Sequence, residues 1–170
     1  MNNKYAIGTV VGATLLGLAK SSLLGSKNDG VVVESFDELL EYANDPSWAP
    51  LVTEVYLYKN QLTTLPPEIL TLKNLEVLIL SHNQLTTLPP EIGSLKKLNY
   101  LALNENQLTT LPPEIGNLNN LEGLGLYDNP KFYMNPEQLL QLIINGASQY
   151  IQRTIVKANV IPNSSNVRLR

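Results

Sequence analysis

The residues able to do chemistry are few. The chain has one histidine, His82, and no cysteine, which removes disulfides, thiolate metal sites, thiol nucleophiles and any multi-histidine metal centre. His82 has no second histidine and no serine at a spacing that would form a proton relay, so it is expected as a solvated surface residue. Gly12, Gly17, Lys20 and Ser21 come nearest to a phosphate-binding loop. The lysine stands two positions too late, and the setting is an apolar run rather than a strand-to-helix turn. Glu68, Glu91 and Glu114 recur at one spacing, which predicts a solvated row of charges at short helix starts rather than two carboxylates facing each other across a cleft. Asn163, Ser164 and Ser165 match a glycosylation acceptor, of consequence only on an extracellular tail. The sequence therefore assigns no catalytic, cofactor-binding or metal-ligating residue, and it does not read as an enzyme.

The 170 residues, 44% of them hydrophobic and 16% charged, suffice for one domain with a real core. Leucine occurs 32 times and asparagine 19 times, an excess over ordinary usage that points to a repeating unit. The net charge of −3 is unevenly spread: residues 1–27 carry three lysines and no acid, 28–128 carry 14 acids and 4 lysines, and 129–170 carry 5 bases and 1 acid. An acidic body argues against nucleic acid, which needs a continuous basic stripe. The two basic ends suit anionic lipid headgroups.

Self-alignment shows a 23-residue period with registers at Val52, Leu75, Leu98 and Leu121, and the decapeptide NQLTTLPPEI recurs unchanged at 60–69, 83–92 and 106–115. Within a unit, Leu78 and Leu80 stand two apart and face one side of a short strand. The pairs Val55/Leu57, Leu101/Leu103 and Leu124/Leu126 should stack beside them in a parallel ladder. Asn60, Asn83, Asn106 and Asn129 follow each strand, where a short amide can bond backbone groups of its own turn and of the neighbouring one. The Pro-Pro pairs at 66–67, 89–90 and 112–113 impose extended and then helix-starting dihedrals, so the outer side should be irregular or briefly helical; a Pro-Pro ligand for aromatic-lined domains is the other use of such pairs. The unit, typified by Leu75, Leu78, Leu80, Asn83, Leu85, Leu88, Pro89, Ile92 and Leu95, resembles the leucine-rich repeat family. Its LPPEIGxL ending is similar to the 23-residue class of plant intracellular Ras-group proteins and of many bacterial and viral repeat proteins. The resemblance implies an α/β solenoid: a short coil with a parallel concave sheet and helical N- and C-terminal caps.

The predicted organisation has five parts. Residues 28–51 form an N-terminal cap, with Ser35 and Glu38 as a capping box, Phe36, Leu39, Leu40 and Ala43 at helical spacing and Trp48 as an apolar lid. Repeats run over 52–130. A C-terminal helical cap covers 131–159, where the fourth unit abandons the LPPEI block, and 160–170 is an extended tail. Residues 1–27 are a hydrophobic segment. Positions 5–24 carry a single lysine, enough for a membrane span, with Gly8 and Gly12 placed for helix contact. The segment is read first as a retained anchor or a helix buried in an assembly, next as a signal cleaved after Ala19, and last as a plain surface helix.

What remains is a surface. Strand residues facing away from the leucines should form rows across the repeats: Tyr56, Ile79, Ala102, Gly125; then Tyr58, Ser81, Asn104, Tyr127; then Lys59, His82, Glu105, Asp128, with Tyr100 in a further row. Tyrosine is a favoured interface anchor, although β-propensity alone also places it on strands. The resemblance implies protein binding on this concave face, so the expected binding residues are Tyr56, Tyr58, Lys59, Ile79, His82, Tyr100, Asn104, Glu105, Tyr127 and Asp128. The expected function is non-catalytic protein recognition or scaffolding. Two alternatives are a structural subunit of a large particle, such as a viral capsid or membrane complex, and a secreted bacterial effector or surface protein. The expected location is membrane-associated or within a large assembly through residues 5–24, or outside the cell if 1–19 are cleaved.

Overall fold

A Val-Val-Val run and four repeat strands, each offering alternate residues to one side, build a single parallel sheet. In the computed structural model, which describes residues 30–134, the strands are β1 (Val31–Val33), β2 (Val52–Tyr56), β3 (Val77–Ile79), β4 (Tyr100–Ala102) and β5 (Gly123–Gly125), in that spatial order. Val55 pairs with Leu78, Leu78 with Leu101 and Leu101 with Leu124, so the sheet advances one sequence period per strand. The anchor, signal and surface-helix readings of the N-terminal segment, and the C-terminal helices and tail beyond Met134, fall outside the described residues. Chain contacts separate Met1–Gly30 from Val31–Arg170; the described elements belong to the second unit.

Each crossover is a five-residue 3₁₀ helix that starts on the second proline of a pair: Pro67–Thr71, Pro90–Ser94 and Pro113–Asn117. Proline at that place presets φ and withholds an amide that would have no helical partner. Between sheet and crossovers lies one core, in which Val55, Leu78 and Leu101, then Leu57, Leu80, Leu103 and Leu126, then Ile69, Ile92 and Ile115 are fully buried columns. The second leucine of each pair sits just past its strand, yet the ladder continues there: the Leu57, Leu80 and Leu103 amides donate to the Ile79, Ala102 and Gly125 carbonyls.

The asparagines form a second ladder. Asn83 Oδ1 accepts from the Asn60 and Leu62 amides, both at 3.0 Å, while its Nδ2 donates to the Leu57 and Leu80 carbonyls. Asn106 and Asn129 repeat the pattern on the Leu85 and Leu108 amides. Asn60 stands first in the row with no earlier repeat to bridge, and it is exposed, its side chain donating only to the Tyr58 carbonyl at 3.1 Å.

The first part of the chain differs from expectation in two ways. β1 adds a strand that the repeat period does not mark; three β-branched residues favour it, and Val33 joins the core. The α-helix α1 (Phe36–Ala43) starts on Ser35, whose Oγ accepts from the Glu38 amide at 3.2 Å, but the Glu38 carboxylate reaches back to the Glu34 amide instead of closing on Ser35. Leu39 buries this helix against the core, whereas half-buried Trp48 packs on Tyr42, ring centroids 5.6 Å apart, and lies outside the leucine column.

The outer glutamates also depart from a uniformly solvated row. Glu91 is exposed, but Glu68 and Glu114 are half-buried, with Glu114 Oε2 fully covered. Gly93 explains the close packing at Glu114: a Cβ there would lie 2.4 Å from the Glu114 carbonyl oxygen, so only a glycine admits the next crossover so near. At the far end of the described residues Phe132 and Met134 enter the core where the LPPEI leucines no longer occur.

Candidate functional site

The concave face is what the core leaves over. With Leu78, Leu101 and Leu124 turned inward, their strand neighbours point the other way, in rows fixed by the register: Glu54, Val77, Tyr100 and Gly123, then Tyr56, Ile79, Ala102 and Gly125. β1 extends the first row with Val32, paired beside Glu54. Four tyrosines stay open on this face, Tyr56 at 36%, Tyr58 at 44%, Tyr100 at 39% and Tyr127 at 43% exposure, as does Val32.

The expected residues are not equally outward. Ile79 is half-buried and Ala102 buried. The row Tyr56, Ile79, Ala102, Gly125 loses bulk toward Gly125, but no empty recess results, because neighbouring side chains fill the space. A Cβ on Gly123 would meet the Tyr100 ring at 2.3 Å, and one on Gly125 would meet Asn104 Oδ1 at 2.6 Å. Asn104 also accepts from the Tyr127 amide at 3.2 Å, so its amide knits β4 to the end of β5. Tyr100 and Asn104 thus shape the face as well as lining it.

The outermost row is an interlocked chain. Lys59 Nζ lies 4.9 Å from the centre of the Tyr58 ring. That ring meets His82 edge-on at 4.6 Å, and His82 Nδ1 lies 2.7 Å from Glu105 Oε2. The expectation of a merely solvated His82 is corrected: it is half-buried between an aromatic ring and a carboxylate. Lys59, His82, Glu105 and Asp128 all adopt left-handed backbone, with φ from 53° to 57°. A side chain there costs about 1–2 kcal/mol relative to right-handed backbone, so the turn persists only because the asparagine ladder beside it fixes the chain.

Sequence reasoning passed over Val32, Glu54 and Val77. For Glu54 and Val77 the signal was present, since they share the repeat position of Tyr100; Val32 lies in a strand outside the period. Glu54 Oε2 accepts from the Tyr56 hydroxyl at 2.8 Å. Among the described residues no group of three His, Cys, Asp or Glu side chains is arranged to hold a metal ion, and no helix is long and apolar enough to cross a membrane. An open polar groove lies beside the starts of β3 to β5, lined by Glu76, Lys97, Asn99 and Glu122 among others.

Among solved structures the chain is similar to a leucine-rich repeat protein of Leptospira interrogans, at 44% identity over 66% of this chain and 26% of that one, with a TM-score of 0.48. It is also similar to the leucine-rich repeat domain of APL1B, at 20% identity over 75% of this chain and 43% of that one, with a TM-score of 0.46. The chain spans less than half the length of either. No curated protein matches it significantly. A family profile described as a leucine-rich repeat region matches residues 55–143, more than half of the chain and all of the repeats from Val55 onward, and with the parallel sheet of one strand per period the chain belongs to the leucine-rich repeat family.

Proposed function

We propose that the chain is a non-catalytic recognition module whose concave face docks a protein partner through Tyr56, Tyr58, Ile79, Tyr100 and Tyr127, framed by Lys59, His82, Asn104, Glu105 and Asp128. One observation carries this reading. Four tyrosines, each at least 36% exposed, share a sheet face that the fold does not use for its own core, and large amphipathic rings are what protein interfaces bury at low entropic cost. Repeat solenoids present such extended concave surfaces to other proteins. In this reading 52–130 is the recognition segment, 28–51 and 131–159 close its two ends, 1–27 tethers it to a membrane or an assembly, and 160–170 is a tail.

Benzoylphenylalanine placed at position 127 on the concave side, and separately at position 91 on the outer side, tests the reading in cells that make the protein. The expected outcome is a partner adduct from position 127 and none from position 91. Adducts from position 91 alone would move recognition to the outer ridge. Equal adducts from both would fit a subunit buried on all sides in a particle.

A further inference from the structure

We infer that the segment docking on this face is basic: an extended polypeptide stretch whose lysine or arginine side chains sit over the β4–β5 end, among Tyr100, Tyr127, Glu105 and Asp128. This rests on the recognition reading above and names the chemistry of the partner.

The first support is where the charges go. Residues 30–134 carry thirteen acids and five lysines. Two of those lysines are engaged on the outer side: Lys73 Nζ donates to the Leu70 carbonyl and Ser94 Oγ, and Lys96 Nζ to the Asn117 carbonyl. On the concave rows only Lys59 is cationic, at the β2 corner. Across the sheet from it the row ends in Glu105 and Asp128, whereas the third carboxylate, Glu54, stands on β2 at the Lys59 end. The face is thus acidic toward β5, and complementary charge steers and orients a partner.

The second support lies in the chain itself. Lys59 over the Tyr58 ring at 4.9 Å shows what a cation does on this face, a contact that tyrosine rings make with ammonium and guanidinium groups. At the other end Tyr127 is exposed and adjoins Glu105, whose amide donates to the Tyr127 carbonyl at 2.9 Å. The Glu105 carboxylate meets His82 through Oε2. Asp128 is exposed, and its carboxylate has no bond among the described residues. Tyrosine and carboxylate therefore recur at the β5 end with no lysine over the tyrosine ring among the described residues, the exposed Lys131 following three positions after Asp128. An acidic peptide or a nucleic acid would meet like charge there.

The test uses the full chain and three labelled extended peptides, matched in length and apolar content, one carrying lysine and arginine, one neutral and one acidic, with binding followed by fluorescence anisotropy. The basic peptide should bind tightest, weaken as salt screens the pairs, and lose about tenfold in affinity, equivalent to 1.4 kcal/mol, in the double variant Glu105→Gln, Asp128→Asn. The outer variant Glu91→Gln should bind as the parent does. If the neutral or acidic peptide binds as well, in a manner lost on Tyr56→Ala but indifferent to the carboxylate variant, the basic partner is overturned while the concave docking face stands. If basic-peptide binding is lost in Glu91→Gln and kept in the concave variants, or if no peptide binds, both the basic partner and the concave site are contradicted.

Discussion

Leu101→Ala should lower the stability of the chain by about 2–5 kcal/mol, the range for emptying a fully buried leucine site. Leu101 is wholly buried, on a strand flanked by Leu78 on one side and Leu124 on the other. In a solenoid each repeat leans only on its neighbours, so a cavity at the third repeat weakens both of its interfaces, and no distant element can close over it. For a chain of this size each kilocalorie is worth about 2–4 °C, so the melting midpoint followed by circular dichroism should fall by roughly 4–20 °C. A midpoint equal to that of the parent would mean that Leu101 does not face the core and that the register is wrong.

Asn106→Ala should cost about 2–4 kcal/mol although it removes only an amide. Asn106 is 4% exposed. Its Oδ1 takes the Leu85 amide at 3.0 Å, and its Nδ2 donates to the carbonyls of Leu80, Leu103 and Asn104. Alanine leaves the Leu85 amide buried without a partner, at a desolvation cost of about 1–3 kcal/mol, and takes one donor from each of three carbonyls that keep another, from Asn83, Asn129 and the His82 amide respectively. Asn60→Ala is the internal comparison: the same residue type at the same repeat position, but exposed, with a side chain bonded only to the Tyr58 carbonyl. That change should stay within about 0.5 kcal/mol. Urea midpoints of the two variants measure the difference, and equal effects would show that the ladder does not hold the repeats together.

Period and residue type made much of this legible. Leu78, Leu101 and their equivalents could be assigned to one buried column because a two-residue spacing inside a 23-residue repeat has only one strand reading. The prolines likewise announced the crossovers. Asn60 shows the boundary of that logic: its letter matches Asn83, but its role depends on having a preceding repeat, a fact of position rather than of type. β1 lay outside the repeat, so Val31, Val32 and Val33 had no register to betray them. The rows on the concave face followed from the period, but their filling did not. Tyr100 against Gly123 and Asn104 against Gly125 are contacts between neighbouring strands, set by rotamers that a row of letters does not specify. The left-handed turn at Lys59, His82, Glu105 and Asp128 was hidden for another reason: no glycine marks it, since the asparagine network rather than residue preference stabilises it.

These particulars sharpen the choice of variant for the binding face. Tyr100→Ala would uncover Gly123 and so disturb folding along with any contact to a partner. Tyr56 and Tyr127 are exposed positions where the two effects separate. If the concave face recognises a partner while the leucine columns hold the fold, the double variant Tyr56→Ala, Tyr127→Ala separates the two when its affinity for the partner caught by the position-127 crosslink is measured beside its melting temperature. Binding should weaken by at least about 2 kcal/mol, as for interface hot spots, with stability changed by no more than about 1 kcal/mol for two exposed positions. Unchanged binding in that variant, with binding abolished instead by Glu68→Gln or Glu91→Gln on the outer side, would contradict recognition by the concave face.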